Sequence, residues 1–499
     1  MSKLYKLYDK IGVYILALGV ILLNISLAFD NVVWGDEAYS QMAIRNCNLY
    51  GIYERVYYWD SHPPFYYYYL RLFADLFGYK TPVYHIASLV PFVIGIVLAV
   101  TLVKKHMGSM AASFFVILSG LSQSCVEYNL EIRMYSLVFM CVLLCGYSAY
   151  EIVAGGKSKA GMWICMVIFG LLGAYTHYFG LLICGLIILF TGITHYILHR
   201  GKTWVNGLIS IVAYVVIYIP WLFVLFKQTQ SELNDSWMTE PESFGKIVSF
   251  ICGGDKLKFI ICPFILVMSL MIYLIESGAL SCEKTESGKK FKWNKPSAKG
   301  LSKEMVAILM MWCVIVVLLG FSYGVSLAFH PILAFRYTYV IIPVIILIMC
   351  LCLQKLVGYI EASDKKVIYQ GVMLGVMLLA LALGLFDFKY FRSVSKTEDV
   401  QTAIVLETVG TPAEDAVLCS NGVKHLAWTV LSYYYPDNEV TLKNPNDLDS
   451  EPSEIWAFMG YQFEDDLLED MEAMGYKMEA YPGPMMIGKY GIFLYKFYK

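Results

Sequence analysis

The sequence predicts a mainly α-helical, polytopic membrane protein of about eleven transmembrane helices, followed by a small C-terminal α/β domain. Three observations predict it. Hydrophobic residues make up 58% of the 499 residues and charged residues only 16%, which would leave a water-soluble chain with too much exposed apolar surface. Apolar runs of about 18 residues or more, the length that crosses a bilayer as a helix, recur along the chain. From residue 390 onward the composition changes, with 8 Lys and Arg against 18 Asp and Glu, whereas residues 1–389 carry 30 against 22. The reversal coincides with the end of the last apolar run, "LFDFKYF", and divides the chain into a membrane domain, 1–389, and a terminal domain, 390–499. An acidic terminal domain disfavours nucleic acid as a partner.

The spans are expected at 11–29, 83–103, 110–126, 134–153, 161–176, 178–198, 204–226, 258–277, 304–327, 336–355 and 367–387. The first run has no small-residue cleavage site after it and is expected to stay as a span rather than be removed as a signal peptide. Alternate connections are lysine-rich: Lys3, Lys6 and Lys10, then "KKH" at 104–106, "GGKSKAG" at 155–161, "HRGK" at 199–202, 281–303 with its seven lysines, and "DKK" at 364–366. Positively charged loops stay in the cytoplasm, which places the N-terminus inside. The long loop 30–82, residues 127–133, the turn at His177, 227–257, 328–335 and the terminal domain are then outside, in a multi-pass protein of the cell membrane. Lysine outnumbers arginine 31 to 7, a compositional bias with no functional reading.

Cysteines do not point to a metal. Cys141, Cys145, Cys165, Cys184, Cys313, Cys350 and Cys352 lie inside apolar runs, where a thiol packs as a small hydrophobe. No CxxC pair or His/Cys cluster has ligand spacing, so the sequence calls for no cofactor and does not decide on a divalent metal. Cys47, Cys252 and Cys419 fall in external segments, where a disulfide is permitted but nothing in the spacing supports one.

The external segments carry the chemistry. "FDNVVWGDEAYSQMA" (29–43) follows the first span and offers Asp36 and Glu37, whose bland reading is the N-terminus of a helix capped by Asp36. Neighbours on a helix point about 100° apart, so the two cannot work as a facing carboxylate pair, and Asp36 is taken as the base with Glu37 in support. In "YYWDSHPPFYYYYLRLFADLFG" (57–78), His62, Pro63 and Pro64 mark a helix start. The residues after them are too few to cross a bilayer. Leu70, Phe73, Leu76 and Phe77 recur at helical spacing, as on an amphipathic helix lying in the outer interface. Glu131, Arg133 and Tyr135 in "LEIRMYSL", His177 in "THYFG", and Arg336 and Tyr337 in "FRYTYVIIP" fall at outer helix mouths. Arginine there is either snorkelling to the interface or binding an anion; two on the face that carries Asp36 favour the anion, since the guanidinium fork matches phosphate oxygens.

Taken in order, "GDEAYS", "DSHPPFYYYYL" with "RLFADLFG", "LEIRMYSL", "THYFGLL" and "FRYTYVIIP" resemble the GT-C glycosyltransferases, specifically the family-39 group related to protein O-mannosyltransferases and aminoarabinose transferases. The resemblance covers essentially the whole chain. It implies a polyprenyl-phosphate-linked sugar as donor, transfer to an extracytoplasmic acceptor (glycan, lipid or protein), and inversion at the anomeric carbon. It matches Asp36 to the catalytic acidic residue and Glu37 to its partner, His62 and Pro63 to the loop motif, and Arg133 and Arg336 to positions near the donor phosphate; His62, Glu131, Tyr135, His177 and Tyr337 are added as candidates for the donor side, and Tyr39, Pro63 and Pro64 for loop support. The chemistry is consistent: a phosphate leaving group is already anionic and needs cations and hydrogen bonds rather than a general acid. The alternatives are a ligase or polymerase of lipid-linked glycans, a transporter or flippase of lipid-linked saccharides, and a membrane scaffold. A transporter should carry polar residues near the bilayer midplane and broken helices, whereas these spans are nearly free of internal charge.

In the terminal domain, 416–420, 439–443, 454–460 and 491–499 alternate as strands, and 422–435 and 463–475 as helices, the second stopping at Gly475. No phosphate loop or catalytic constellation is visible there.

Overall fold

A computed structural model describes all of the chain except residues 1, 30–31, 46, 156–159, 200–203, 235–237, 239, 255–256, 286–287, 422–424 and 463–464. The basic connections expected at 155–161 and 199–202 lie largely outside the described residues, as does the start of the helix expected at 422–435. By its internal contacts the chain forms two compact units, one of Met1–Ser26, Leu49–Tyr69 and Ala87–Lys389, the other of Leu27–Asn48, Leu70–Ile86 and Tyr390–Lys499.

The first unit is a bundle of apolar helices. Nine helices among the described residues are long and apolar enough to cross a membrane. The third expected span is a pair, Ser109–Leu121 and Gln123–Leu130, bent by 62°, and the fifth, Ala160–Ala174, is apolar but short. All eleven expected segments are therefore helical. Tyr135–Val153 and Phe335–Glu361 sit at the centre, with 89% and 78% of their apolar windows buried, against 28% for Trp204–Gln230. Outward apolar side chains such as Ile209, Phe223, Leu270 and Val316 are what a lipid-facing surface requires. The last helix, Lys366–Val409, runs on for 44 residues, beyond the expected span end at 387. The lysine-rich connection was read as loop, yet Leu280–Thr285 and Gly288–Trp293 pair as an antiparallel hairpin.

The second unit is built on a sheet. Its strands run Glu439–Thr441, Val417–Cys419, Glu454–Met459, Tyr490–Tyr498, Lys477–Ala480, with Met485–Ile487 also pairing Tyr490–Tyr498. The two contacts of Val417–Cys419 are parallel and all pairings of Tyr490–Tyr498 antiparallel. Trp456, Phe458, Leu494 and Val430 fill one buried face, and Ile455, Ala457, Met471 and Phe497 the other. The four expected strands are present; the two short ones were missed. The expected second helix is found at Asp465–Ala473, and Gly475 stands just beyond it at φ 85°, a left-handed conformation that glycine adopts without a Cβ clash.

The long loop after the first span contributes to both units. Residues 27–48 and 70–86 pack with the terminal domain, while 49–69 pack with the membrane helices. The loop holds three helices, Gly35–Ile44, Leu49–Trp59 and Phe65–Phe77. On the last, Leu70 is buried while Leu76 and Phe77 are each 65% exposed, as an interfacial helix requires.

Candidate functional site

In the first unit, the residues preceding Phe65 form an ordered turn. Pro63 and Pro64 are buried and precede the helix rather than filling its first turn; the Pro64 carbonyl accepts from the N–H groups of Tyr67 and Tyr68. Phe65 N–H donates to the Tyr175 carbonyl at 3.0 Å, tying this turn to the one that carries His177. Asp60 sits at the centre. Its Oδ1 accepts from Ser61 N–H at 2.7 Å and meets His62 Nδ1 at 2.8 Å, and its Oδ2 accepts from the Tyr67 hydroxyl. Burial alone would raise the Asp60 carboxyl, but the charge and hydrogen bond of His62, the Arg133 guanidinium and the Tyr67 hydroxyl outweigh it and hold the group below the usual carboxylate range.

Arg133 closes the network. Residues 131–134 form a tight non-helical turn between two helices, with Glu131 and Arg133 both only 5% exposed. Two residues apart, these side chains would diverge on a helix; the turn lets both be buried. Arg133 Nη1 donates to the Tyr67 hydroxyl at 3.2 Å, and its Nη2 lies 3.5 Å from His62 Nδ1. Beyond them the rings of His62 and His177 lie 5.4 Å apart, His177 and Tyr337 5.3 Å, and His177 and Tyr135 6.1 Å. The Arg336 guanidinium lies 5.6 Å from the Tyr337 ring.

His177 is the most informative member. Its Nδ1 accepts the Phe179 backbone N–H at 3.0 Å, which leaves Nε2 to carry the proton of the neutral ring. That Nε2 is buried and has no hydrogen-bond partner among the described residues. Burial, and then the positive charges of His62, Arg133 and Arg336, push this imidazole well below its ordinary pKa, so it stays neutral and keeps an N–H donor among cationic side chains.

Asp36, Glu37 and Tyr39 belong to the second unit, on the helix Gly35–Ile44. Trp34, not Asp36, holds the capping position, and Glu37 Oε2 accepts the Trp34 N–H at 3.4 Å. Glu37 is buried, while Asp36 and Tyr39 are partly exposed. The terminal domain seats this helix closely. A Cβ on Gly35 would come within 2.2 Å of the Tyr490 hydroxyl and 3.1 Å of Thr429 Oγ1. Tyr433 donates to Gln41 at 3.0 Å, Val32 N–H donates to Asp399 at 3.1 Å, and Lys489 Nζ lies 5.0 Å from the Trp34 ring.

The structure thus brings buried His62, Arg133, Tyr135 and His177 together with half-buried Arg336 and Tyr337 in one cluster, with Glu131 on its arginine turn, and places the acidic pair on a helix fixed by the terminal domain. Asp60 and Tyr67 were missed. Their only sequence signal was the D-x-H spacing ahead of two prolines. Cys47, Cys252 and Cys419 all carry free thiols. Among the described residues no three His, Cys, Asp or Glu side chains gather as metal ligands would.

Residues 61–221, which include His62, Arg133 and His177, match the dolichyl-phosphate-mannose-protein mannosyltransferase family model. The whole chain is similar in structure to ArnT from Cupriavidus metallidurans in the apo state, at 12% identity and a TM-score of 0.61. It is likewise similar to the same organism's ArnT bound to undecaprenyl phosphate, at 13% identity and 0.58; each match covers 97% of this chain and 98% of the other. The chain has the fold of these ArnT structures. No curated protein matches the sequence.

Proposed function

We propose that this protein is an integral-membrane glycosyltransferase that takes a sugar from a polyprenyl-phosphate donor and transfers it, with inversion, to an acceptor outside the cytoplasm. The observation that carries the reading is the buried His177 Nε2–H, which has no acceptor among the described residues and lies in a cluster with two arginines and His62. Such a donor set suits the oxygens of a phosphate ester, and the similar ArnT structure is one described as bound to undecaprenyl phosphate.

In this reading an acceptor hydroxyl attacks the anomeric carbon and the bond from that carbon to the phosphate oxygen breaks. The electron pair leaves on the polyprenyl phosphate, whose added charge is met by Arg133, Arg336, His62 and the His177 N–H. The hydroxyl proton goes to Asp36. Glu37, buried against the backbone of its own helix start, positions that helix, which fits its supporting role. The N-terminus is cytoplasmic, and loop 30–82 and the terminal domain are outside, following the lysine pattern.

The test is purified full-length protein given polyprenyl-phosphate sugars, following release of free polyprenyl phosphate. Turnover that survives unchanged in Asp36→Asn removes the base assignment. A lipid-linked sugar moved across a bilayer but never consumed would replace the transferase with a transporter.

A further inference from the structure

The second unit contains a pocket outside the acidic pair. It has a volume of 630 Å³ and is lined by Arg45, Cys47, Asn48, Arg71 and Tyr79. That size lies within the ~300–1,000 Å³ typical of small-ligand pockets. Arg71 is fixed: its Nε donates to Asp75 at 2.7 Å, and its Nη1 donates to the carbonyls of Ile44, at 3.1 Å, and Cys47. Tyr79 also donates to Asp75, at 2.5 Å, and its ring lies 5.5 Å from the Arg71 guanidinium. Asp75 therefore offsets Arg71. Arg45 is exposed, follows the C-terminal end of the helix Gly35–Ile44, and forms no ion pair with a described residue, so the pocket keeps a net positive charge.

Its surroundings are apolar and close to the bilayer. Leu72, Leu76 and Phe77, on the helix that bears Arg71, are 55%, 65% and 65% exposed. Leu72 and Leu76 form a stripe one residue, about 100°, round from Arg71 and Asp75. The chain enters a membrane-spanning helix at Thr81, two residues after Tyr79, and Phe29, just past the end of the first span, is 62% exposed in the same unit. A basic pocket two residues from a span, beside an exposed apolar stripe, lies at the level of the headgroups rather than in open water.

We infer that the Arg45–Arg71 pocket binds the phosphodiester headgroup of an anionic phospholipid of the surrounding leaflet, with Leu72, Leu76 and Phe77 among its acyl chains. The guanidinium of Arg45 supplies the charge and that of Arg71, already locked by two carbonyls, shapes the floor. The consequence is a lipid tether on the unit that carries Asp36. It holds whether or not the transfer reaction proposed above is correct.

The test is native mass spectrometry of the full-length protein in detergent, titrated with phosphatidylglycerol. Arg45→Gln should weaken retention of the first lipid about tenfold, the scale of one charge-assisted hydrogen bond, and Arg45→Glu should abolish it. Arg55→Gln, which removes an exposed arginine from the neighbouring helix Leu49–Trp59, should leave it unchanged. Unchanged thermal unfolding of Arg45→Gln separates lost binding from lost fold. Three results would overturn the inference: Arg45→Gln retaining lipid like the wild type, Arg55→Gln losing as much, or added polyprenyl phosphate displacing phosphatidylglycerol one for one, which would give the pocket to the donor.

Discussion

Asp60→Asn removes one charge from the buried network while keeping its shape. The amide oxygen can still accept from Ser61 and His62, and the amide nitrogen can donate to a Tyr67 hydroxyl that has turned round. What is lost is the charge assistance of the bonds to His62 and Tyr67, together with the counter-charge beside Arg133. A hydrogen bond to a charged group contributes about 1.5–3 kcal/mol against about 0.5–1.5 for a neutral one, so two such bonds give a loss of about 2–3 kcal/mol. Asp60→Ala leaves the partners buried without an acceptor and should cost about 3–5 kcal/mol. Thermal unfolding of the purified protein, read by tryptophan fluorescence, should rank wild type above Asn above Ala, with the first step roughly 2–3 °C for a chain of 499 residues. The pH dependence has a definite sign. Asp60 is depressed in the folded state, so its contribution is complete above about pH 5 and is lost as the pH falls through the unfolded value near 3.9 toward the folded one. The gap between wild type and Asp60→Asn should therefore close on acidification. A gap that fails to narrow as the pH falls from about 5 to about 2, or an Asn variant as stable as the wild type, refutes the network as described.

His177→Phe keeps a buried ring but removes the Nε2 donor, and should weaken binding of polyprenyl phosphate, measured calorimetrically, about tenfold or more. Arg336→Lys keeps the charge and loses the fork; affinity for the same lipid should fall several-fold, and an unchanged value would reduce Arg336 to a snorkelling residue. Gly35→Ala drives a methyl group into the Tyr490 hydroxyl and should destabilise the protein by about 1–3 kcal/mol. Adding Tyr490→Phe, which removes that hydroxyl, should recover most of the loss in thermal unfolding, whereas a merely additive double variant would show that the seat is not the cause.

The fold was legible because its main determinant is composition along the chain. Apolar length and lysine placement recur over hundreds of residues, and no tertiary contact can reverse them. What failed to show was short and context-made: the hairpin at 280–293, whose lysines masked its β character, and the strands Lys477–Ala480 and Met485–Ile487, which exist only because Tyr490–Tyr498 offers them an edge. The helix Leu49–Trp59 was hidden for a similar reason. Only Ile52 and Val56 on it are buried, a stripe too thin to register among so many tyrosines.

The candidate site divides along the same line. Arg133 and Arg336 stood out because the lysine pattern assigns their helix mouths to the outer side, where a basic residue is unexpected, and Asp36 stood out because it follows a span directly. Asp60 and Tyr67 violate nothing. An aspartate before Ser-His-Pro-Pro is ordinary turn chemistry, and a tyrosine inside "FYYYYL" is one of four alike. Their role arises only when the turn brings Asp60 Oδ1 to His62 and Tyr67, in the first turn of the helix that follows, sets its hydroxyl on Oδ2 and on Arg133. Groups that sit where their type is unexpected leave a mark in local sequence. Groups that act by holding another side chain leave none, and Asp60, whose carboxylate offsets the cations of the cluster, is of that second kind.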